Sequence, residues 1–524
     1  MRFDRLAVAM AMLCLGAPLQ AAWLEVRTPH FRIYSEGTPD TARRFATNLE
    51  RFDRSIRTIF AFADRPGDDP NPLTVFMVDS IDQVSSLCRG GAKVARGESD
   101  PCRYVAGFYD GRAAGSVAFV PRTAADNPTG ARTILFHEYA HHLMLANSPA
   151  AYPAWYVEGF AELISNVKLD KPGEVGIGLP AEDRFWSLTQ ERRIPVRELL
   201  TAKPADLSSA DGVTFYGRAW LLTHYLTFSP TRTRQLTNYL GAINQGKSSE
   251  EAASVAFGDL DTLNKEVEAY LSRGRFSYRP VQVADVPAAA IRIRRLERGE
   301  AALMPVRLRS QRAVDEESAP LVVAQARQLA APWPNDPGAQ LILAEAEFDA
   351  GYDDETEAAA DRVLAVRPDS RDAMIFKALA IMHRASQGHH FDDAIWRAAR
   401  GWLLKANKIE PDAAWPLFLF YQSFLDQGKT PTANAVSALE QASGLAPQDG
   451  HLRMMLVNQY LRDRKLAYAR AALAPLAYDP HASGDNPARR LLDRLDKDGL
   501  AGASRDMMPN IDISVDEPKP GKPK

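Results

Sequence analysis

The chain has few cysteines, no strong excess of either charge and, after its first residues, no apolar run long enough to cross a membrane. Its 524 residues carry 63 Lys and Arg against 66 Asp and Glu, a formal net charge of −3. A polyanion-binding surface is therefore not expected, and nucleic acid is a poor candidate for a partner. A bilayer-spanning helix needs about 20 apolar residues, which no later segment supplies. Two or three domains are expected for this length.

The N-terminus, residues 1–22, is typical of a signal peptide. Arg2 and Arg5 form a short basic start, residues 6–15 are an apolar core, and residues 17–22 supply small side chains for cleavage. The apolar core is too short to span a bilayer, and a retained N-terminal anchor is the alternative. The sequence predicts a mature chain that is exported, most simply to a bacterial periplasm.

Removal of that leader would leave Cys88 and Cys102 as the only cysteines. An even pair in an oxidising compartment, separated by the polar run 89–101, predicts one disulfide that closes a short loop. Two unlinked thiols are the alternative. Neither cysteine belongs to a C-x-x-C pair, so a metal held by cysteine is not expected.

A pair of histidines with an acidic neighbour is the most informative pattern in the chain. Residues 137–141 read His-Glu-Tyr-Ala-His. On a helix, His137 and His141 lie on one face and can bind one metal ion, while Glu138 can reach a water beside it. Apolar neighbours predict a buried helix, in which such a cluster is costly unless a metal compensates it. A surface helix with two solvated histidines is the alternative.

A second helix with two acidic residues follows at 154–164. Glu158 and Glu162 are four residues apart and share one face of this helix. Two neighbouring carboxylates repel each other, which is tolerable where a cation and a histidine N–H bind them.

These two segments resemble the gluzincin zinc metallopeptidases, in particular the bacterial peptidase-MA-like group. In that group a HExxH helix precedes a helix of the form W-x-x-E-G-x-A-E. The matching residues are His137, Glu138 and His141, then Trp155, Glu158, Gly159, Ala161 and Glu162.

The resemblance implies Zn²⁺ held by His137, His141 and Glu158, with Glu138 as the catalytic base. It also implies that Glu162 orients a ligand histidine, most simply His137. The interval between His141 and Glu158 is at the short end of what gluzincins use, which leaves Glu162 as an alternative ligand.

An apolar helix is predicted at 213–225, and in related gluzincins a downstream tyrosine or histidine donates a hydrogen bond to the oxyanion. Tyr216 is the candidate here, with Arg218 and His224 as weaker choices. The alternative for Tyr216 is a core tyrosine that packs on Trp220. His142 is expected to be packed or exposed rather than a ligand.

Residues 23–277 are expected to form the α+β, zincin-like metallopeptidase domain that the resemblance implies. Strands are predicted at 31–34, 73–78, 105–109 and 116–120, and a helix at 41–62. The segment 115–120 is a candidate to pair with an extended peptide as an added strand, and an ordinary internal strand is the alternative.

The second half of the chain is expected to be all-α. Residues 278–317 are interpreted as a linker whose charged run, 292–300, is solvated. Regularly spaced prolines and Ala/Leu-rich stretches across 318–495 resemble tetratricopeptide repeats. Their concave face would bind a polypeptide, or else dock on the first domain. Residues 496–524 are expected to be disordered.

Together these features predict an exported zinc-dependent peptidase, a hydrolase of peptide bonds whose helical repeats bind protein. The lack of a G-x-M-x-N amine-binding motif leans toward an endopeptidase. The alternative is a non-catalytic cell-envelope adaptor with a structural metal site.

Overall fold

The computed structural model of the chain describes residues 23–64, 69–90, 102, 105–122, 130–147, 150–169, 171, 173–179, 187–189, 193–202, 207, 209–479 and 486–500. The predicted signal peptide, 1–22, and residues 501–524 of the predicted tail lie outside these ranges. No described helix is both long and apolar enough to cross a bilayer.

The described residues contain eight strands, which form a six-stranded sheet and a separate pair. They are β1 Trp23–Arg27, β2 Phe31–Glu36, β3 Leu73–Val78, β4 Phe108–Asp110, β5 Val117–Pro121, β6 Glu174–Ile177, β7 Arg279–Gln282 and β8 Arg292–Arg295. The large sheet has the order β4-β5-β3-β2-β1-β8, and β6 pairs with β7. Strands β2, β3 and β5 are parallel to one another, and the outer strands are antiparallel to their neighbours.

The two faces of the sheet pack against different helices. Because side chains alternate across a strand, Ile33 and Val75 enter one core while Tyr34 and Phe76 enter another. The first core contains α1 and α3, and the second contains α2. The helices of this part are α1 Pro39–Phe60, α2 Ile81–Arg89, α3 Gly130–Asn147, α4 Ala154–Ser165, α5 Val196–Leu199, α6 Ser209–Phe228, α7 Gln235–Asn244, α8 Ser249–Phe257 and α9 Leu260–Ser272.

The segment 115–120, a candidate for strand addition, is instead part of an internal strand. Strand β5 pairs in parallel with β3 and antiparallel with β4. The edge of the sheet next to β5 is β4, which has only three residues, where the sequence predicted a strand at 105–109. Of the two alternatives for 115–120, the internal strand therefore holds, because residues 108–110 fold back onto β5. A strand as short as β4 leaves no clear periodic pattern in the sequence.

The interval 278–317, interpreted as a linker, is folded into the first domain. Strand β8 adds to the large sheet beside β1, and α10 (Arg298–Ala302) and α11 (Met304–Arg312) follow it. The charged run is only partly solvated. Glu300 is just 4% exposed and accepts two hydrogen bonds from Arg294 at 2.6 and 2.8 Å, whereas the other charged side chains of the run, Arg292, Arg295, Glu297 and Arg298, are exposed. Arg294 also pairs with the buried Glu25 of β1. Ion pairs with Glu300 and Glu25 therefore allow Arg294 to be part-buried inside an otherwise exposed charged run.

Residues 319–498 form a helical-repeat array in which successive helices pack on one another. Side chains of Asp336, Asp392, Thr432, Asp449 and Asn486 accept hydrogen bonds from the first turns of the helices that follow them. The helices are α12 Ala319–Ala330, α13 Pro337–Asp349, α14 Asp353–Val366, α15 Arg371–Gln387, α16 Asp393–Ile409, α17 Ala414–Asp426, α18 Ala433–Leu445, α19 Gly450–Arg462, α20 Leu466–Ala477 and α21 Pro487–Asp498. The last helix includes residues 496–498, which had been assigned to the disordered tail.

The repeats dock on the first domain at several places along the array. The Asn71 side chain donates to the Asp412 carbonyl at 2.9 Å and accepts from the Ala414 amide at 3.2 Å. Further along, the Ala113 amide donates to Asp449 at 2.7 Å. The turn between β4 and β5 is therefore hydrogen-bonded to Asp449, the residue that precedes α19.

Candidate metal centre

Helix α3, which carries the histidine motif, is buried along most of its length. Leu135 and Leu143 are inaccessible to solvent, and the Phe136 ring stacks on Phe52 of α1 with centroids 3.8 Å apart. With one side packed on α1 and the sheet, the i, i+4 spacing directs His137 and His141 toward α4.

Helix α4 positions the first acidic residue, Glu158, through close packing on its neighbours. The Trp155 indole N–H donates to the Tyr239 hydroxyl at 3.0 Å. A Cβ at Gly159 would overlap the carbonyl oxygen of Ala219 on α6, so only glycine permits this approach of the two helices. Gly159, the glycine of the W-x-x-E-G-x-A-E pattern, is thus explained by the close packing of α4 on α6.

The structure brings together the three residues that were predicted to bind the metal. The Nε2 atoms of His137 and His141 are 3.1 Å apart, and they lie 3.4 and 3.6 Å from Oε2 of Glu158. A tetrahedral zinc ion with bonds of about 2.0–2.1 Å separates its ligand atoms by roughly 3.3–3.4 Å. The three observed separations fall around this value, so the donor set and its spacing fit zinc.

Glu162 lies on the other side of His137, as the resemblance implied. Its Oε1 is 3.4 Å from Nδ1 of His137, whereas Nε2 of that ring faces Glu158. Burial alone would lower the pKa of His137, but the hydrogen bond to Glu158 and the charges of Glu162 and Glu138 raise it to about 9. Glu158 thus lies beside Nε2 of both histidines, and Glu162 lies beside Nδ1 of His137.

Glu138 and Tyr216, the predicted catalytic pair, both lie at this cluster. Glu138 is half-buried, and its charge is close enough to raise the pKa of His137. Tyr216 projects from α6 with its ring centroid 6.3 Å from that of His137. A tyrosine ring and a carboxylate therefore lie close to His137.

The weaker candidates for oxyanion donor have structural roles instead. Arg218 is buried, donates to the Ile194 carbonyl at 3.1 Å and pairs with Glu268 at 2.5 Å. His224 is fully buried, and its Nε2 lies 3.0 Å from the Gly178 carbonyl oxygen. Burial lowers the pKa of His224 to about 4, so this ring is neutral at neutral pH.

His142, expected to be packed or exposed, is buried and part of a polar chain that sequence reasoning missed. Its Nδ1 is 3.0 Å from the Tyr109 hydroxyl, which donates to Ser116 at 3.4 Å. The Gln448 side chain donates to the same serine at 3.0 Å. Burial lowers the pKa of His142 to about 3. This series of hydrogen bonds links α3 to the repeats, more than 300 residues away in sequence.

A second cluster of histidine and acidic side chains lies on the other side of α3. Nδ1 of His30 is 3.0 Å from Glu50 and 3.3 Å from Asp53. Asp53 also accepts hydrogen bonds from Arg57 at 2.8 Å and from the Tyr139 hydroxyl at 2.6 Å. Tyr139 lies on α3, so this network anchors the face of α3 that points away from the His137 and His141 cluster. The spacing of Asp53 and Arg57 on α1 was the only sequence signal for it.

The structure joins Cys88 and Cys102 in a disulfide. Cys88 lies near the end of α2, on the face of the sheet opposite α3, and its carbonyl accepts a hydrogen bond from Arg312. The disulfide therefore lies beside α11, on the face of the sheet away from the histidine cluster.

No protein-family model matches the chain, and no curated protein sequence matches it. Among solved structures the chain is similar to a thermophilic TPR protein from Thermus thermophilus, with 17% sequence identity and a TM-score of 0.31. That similarity covers 37% of this chain and 97% of the other. An inference of function has to rest on the site itself.

Proposed function

We propose that this chain is a zinc-dependent peptidase whose metal is held by His137, His141 and Glu158. The observation that carries the proposal is the convergence of two imidazole nitrogens and one carboxylate oxygen at tetrahedral spacing. Glu158 is completely buried, and a buried carboxylate beside two histidines is costly unless a cation compensates it. A half-buried acid adjacent to this donor set favours a catalytic over a structural metal.

Each surrounding residue has a defined role in this proposal. Bound zinc would polarise the scissile carbonyl and lower the pKa of the attacking water. Glu138 accepts the proton of that water and passes it to the leaving amine. Glu162 accepts a hydrogen bond from Nδ1 of His137, which leaves Nε2 as the metal-binding nitrogen. Tyr216 donates a hydrogen bond to the oxyanion that forms on the carbonyl.

The proposed substrate is a polypeptide, and an endopeptidase is favoured over an aminopeptidase. A disulfide persists in an oxidising compartment, which supports export to a periplasm. Helical repeats commonly bind protein segments on their surfaces, and they are proposed to contribute a protein-binding site.

The substitution Glu138→Gln tests the proposal directly. It keeps the size of the side chain but removes the base, so cleavage of a peptide library, read by mass spectrometry, should fall by roughly 10²- to 10⁴-fold. Zinc content should remain that of the unaltered chain. Glu250→Gln, at an exposed position on α8, is the matched control and should cleave normally. Normal cleavage by the Glu138 variant would rule out its role as the base.

Chelation separates this proposal from that of a non-catalytic envelope adaptor with a structural metal. In a peptidase, removal of zinc abolishes cleavage under mild conditions in which the chain stays folded. In an adaptor, no cleavage is present to lose, and the main effect is a lower melting temperature.

A further inference from the structure

A cavity of about 220 Å³ lies between the large sheet and the helical repeats. Arg32 of β2 and Thr74 of β3 are register partners that enter it from the same face of the sheet. Their neighbours Ile33 and Val75 point the other way, into the core that contains α3. The sheet therefore separates this cavity, the interdomain chamber, from the candidate metal centre.

Two arginines of the chamber lack hydrogen-bond partners. Within the described ranges, the side chains of Arg32 and Arg307 make no hydrogen bond, and each approaches a carboxylate only to 3.8 Å. They are 25% and 16% exposed, so their donors are largely withdrawn from bulk water. Arg307 stacks on the ring of Tyr34, which follows Arg32 on the same face of β2. Native proteins rarely leave such donors unsatisfied, which indicates a missing acceptor.

The acidic side chains of the chamber do not supply that acceptor. Asp372 is bound to Arg371 at 2.7 Å. Burial raises the pKa of Glu345, and burial together with the charge of Glu345 raises that of Asp349, which favours their uncharged forms. Burial alone would raise the pKa of Asp372, but the charges of Arg371, Arg32 and Arg307 lower it. Within the described ranges, none of these three carboxylates accepts a hydrogen bond from Arg32 or Arg307, so both guanidinium groups can still donate to a further acceptor.

The opposite wall of the chamber comes from the repeats, where an apolar group lies beside the acidic side chains. Leu341 and Phe348 of α13, Phe376 and Leu379 of α15 and Trp415 of α17 line it. The rings of Phe376 and Trp415 meet edge to face with centroids 6.0 Å apart. A ligand that filled the chamber would contact guanidinium groups on one side and aromatic rings on the other.

We propose that the interdomain chamber binds a small carboxylate with an apolar side chain, such as the C-terminal residues of a short peptide. The carboxylate accepts hydrogen bonds from Arg32 and Arg307, and the side chain packs on Phe376 and Trp415. The volume is below the roughly 300–1,000 Å³ of pockets for drug-sized ligands, so one or two residues would fill it. This site is separate from the proposed peptidase centre and does not depend on it.

Isothermal titration calorimetry of the full chain with acetyl-Leu-Phe and with its C-terminal amide tests the proposal. The acid should bind, and the amide should bind at least about tenfold more weakly, because it lacks the charge that the arginines require. Equal binding of the two peptides, or no binding of either, would overturn the proposal. This comparison needs no substitution, so it is decisive even if a variant fails to fold.

Variants then locate the binding. Arg32→Gln and Arg307→Gln should each lower the affinity for the peptide acid by about tenfold or more. Arg397→Gln, which changes an exposed arginine on α16, should leave that affinity unchanged. His137→Ala removes a metal donor and should leave binding unchanged. If His137→Ala abolished binding while the two arginine variants kept it, the peptide would be bound at the metal centre and the chamber would be excluded.

Discussion

Two clusters of histidine and acidic side chains lie on opposite sides of α3, and they differ in the interactions between their members. Both combine histidine with acidic side chains whose ligand atoms lie within 4.8 Å of one another. In the His30 cluster the side chains are joined by hydrogen bonds. Arg57 and Tyr139 both donate to Asp53, the carboxylate that also lies beside His30. At His137 and His141, two imidazole nitrogens converge on one carboxylate oxygen.

The difference shows that residue types alone do not identify a metal site. The Nε2 atoms of His137 and His141 are 3.1 Å apart and both face Glu158. Their lone pairs and those of the carboxylate can converge on one bound cation. The His30 cluster already contains the positive charge of Arg57. We therefore expect the first cluster to bind zinc and the second to be an ion-pair network that stabilises α3.

The largest effect is expected from removing a histidine of the first cluster. His141→Ala should lose stoichiometric zinc and with it all measurable cleavage, because two donors rarely retain a catalytic metal. His30→Ala is the matched control from the second cluster and should keep one zinc per chain. Metal analysis by mass spectrometry of the purified variants measures both. Zinc lost equally from both variants would break the distinction.

The next largest effect concerns the stability of the second cluster. Asp53→Asn leaves His30 and Arg57 buried without their shared carboxylate, which should lower the free energy of unfolding by roughly 3–5 kcal/mol. Urea denaturation measures it, with the exposed Asp261→Asn as the control, expected to be near neutral. A loss as small as that of the control would mean that the network does not support α3.

A pH dependence of stability should come from His30. Burial alone would lower the pKa of His30, but the hydrogen bond to Glu50 and the charge of Asp53 raise it from 6.5 to about 9. The stabilisation is therefore complete below pH 6.5 and is lost as the pH rises toward 9, on the order of 2–3 kcal/mol. Unfolding free energies at about pH 6 and about pH 9.5 measure it. His30→Gln should flatten this slope, and an unchanged slope would assign it to other groups.

The smallest effect is expected from packing between α4 and α6. Gly159→Ala forces a methyl group against the Ala219 carbonyl and should cost about 1–3 kcal/mol, with weaker zinc binding because Glu158 is adjacent. Gly241→Ala on α7, where no atom lies within 4 Å of the added carbon, is the control and should be neutral or stabilising. Thermal melting compares the two, and equal melting temperatures would show that the helices can separate at little cost.

The sequence predicted the first cluster well because its signals are local. The spacings within 137–141 and 158–162 each fix one helix face, and short helices carry that geometry without long-range information. The repeats were predicted for the same reason, since each amphipathic stretch corresponds to one helix. In both cases neighbouring residues in the chain contain the necessary information.

The parts that were missed depend on distant partners. Strand β8 was interpreted as a solvated linker because the partner of its Arg294, Glu25, lies about 270 residues earlier in the chain. Gln448 and Tyr109 meet through Ser116 only where the repeats dock on the first domain. The interdomain chamber combines residues from β2, α11 and three repeat helices, so no single segment of sequence indicates it.

The most direct test of the central claim is to locate the metal in a crystal of the full chain by anomalous scattering at the zinc edge. We expect one peak about 2.0–2.1 Å from Nε2 of His137, Nε2 of His141 and a carboxylate oxygen of Glu158. A peak among His30, Glu50 and Asp53, or none in a zinc-supplemented crystal, would contradict the account.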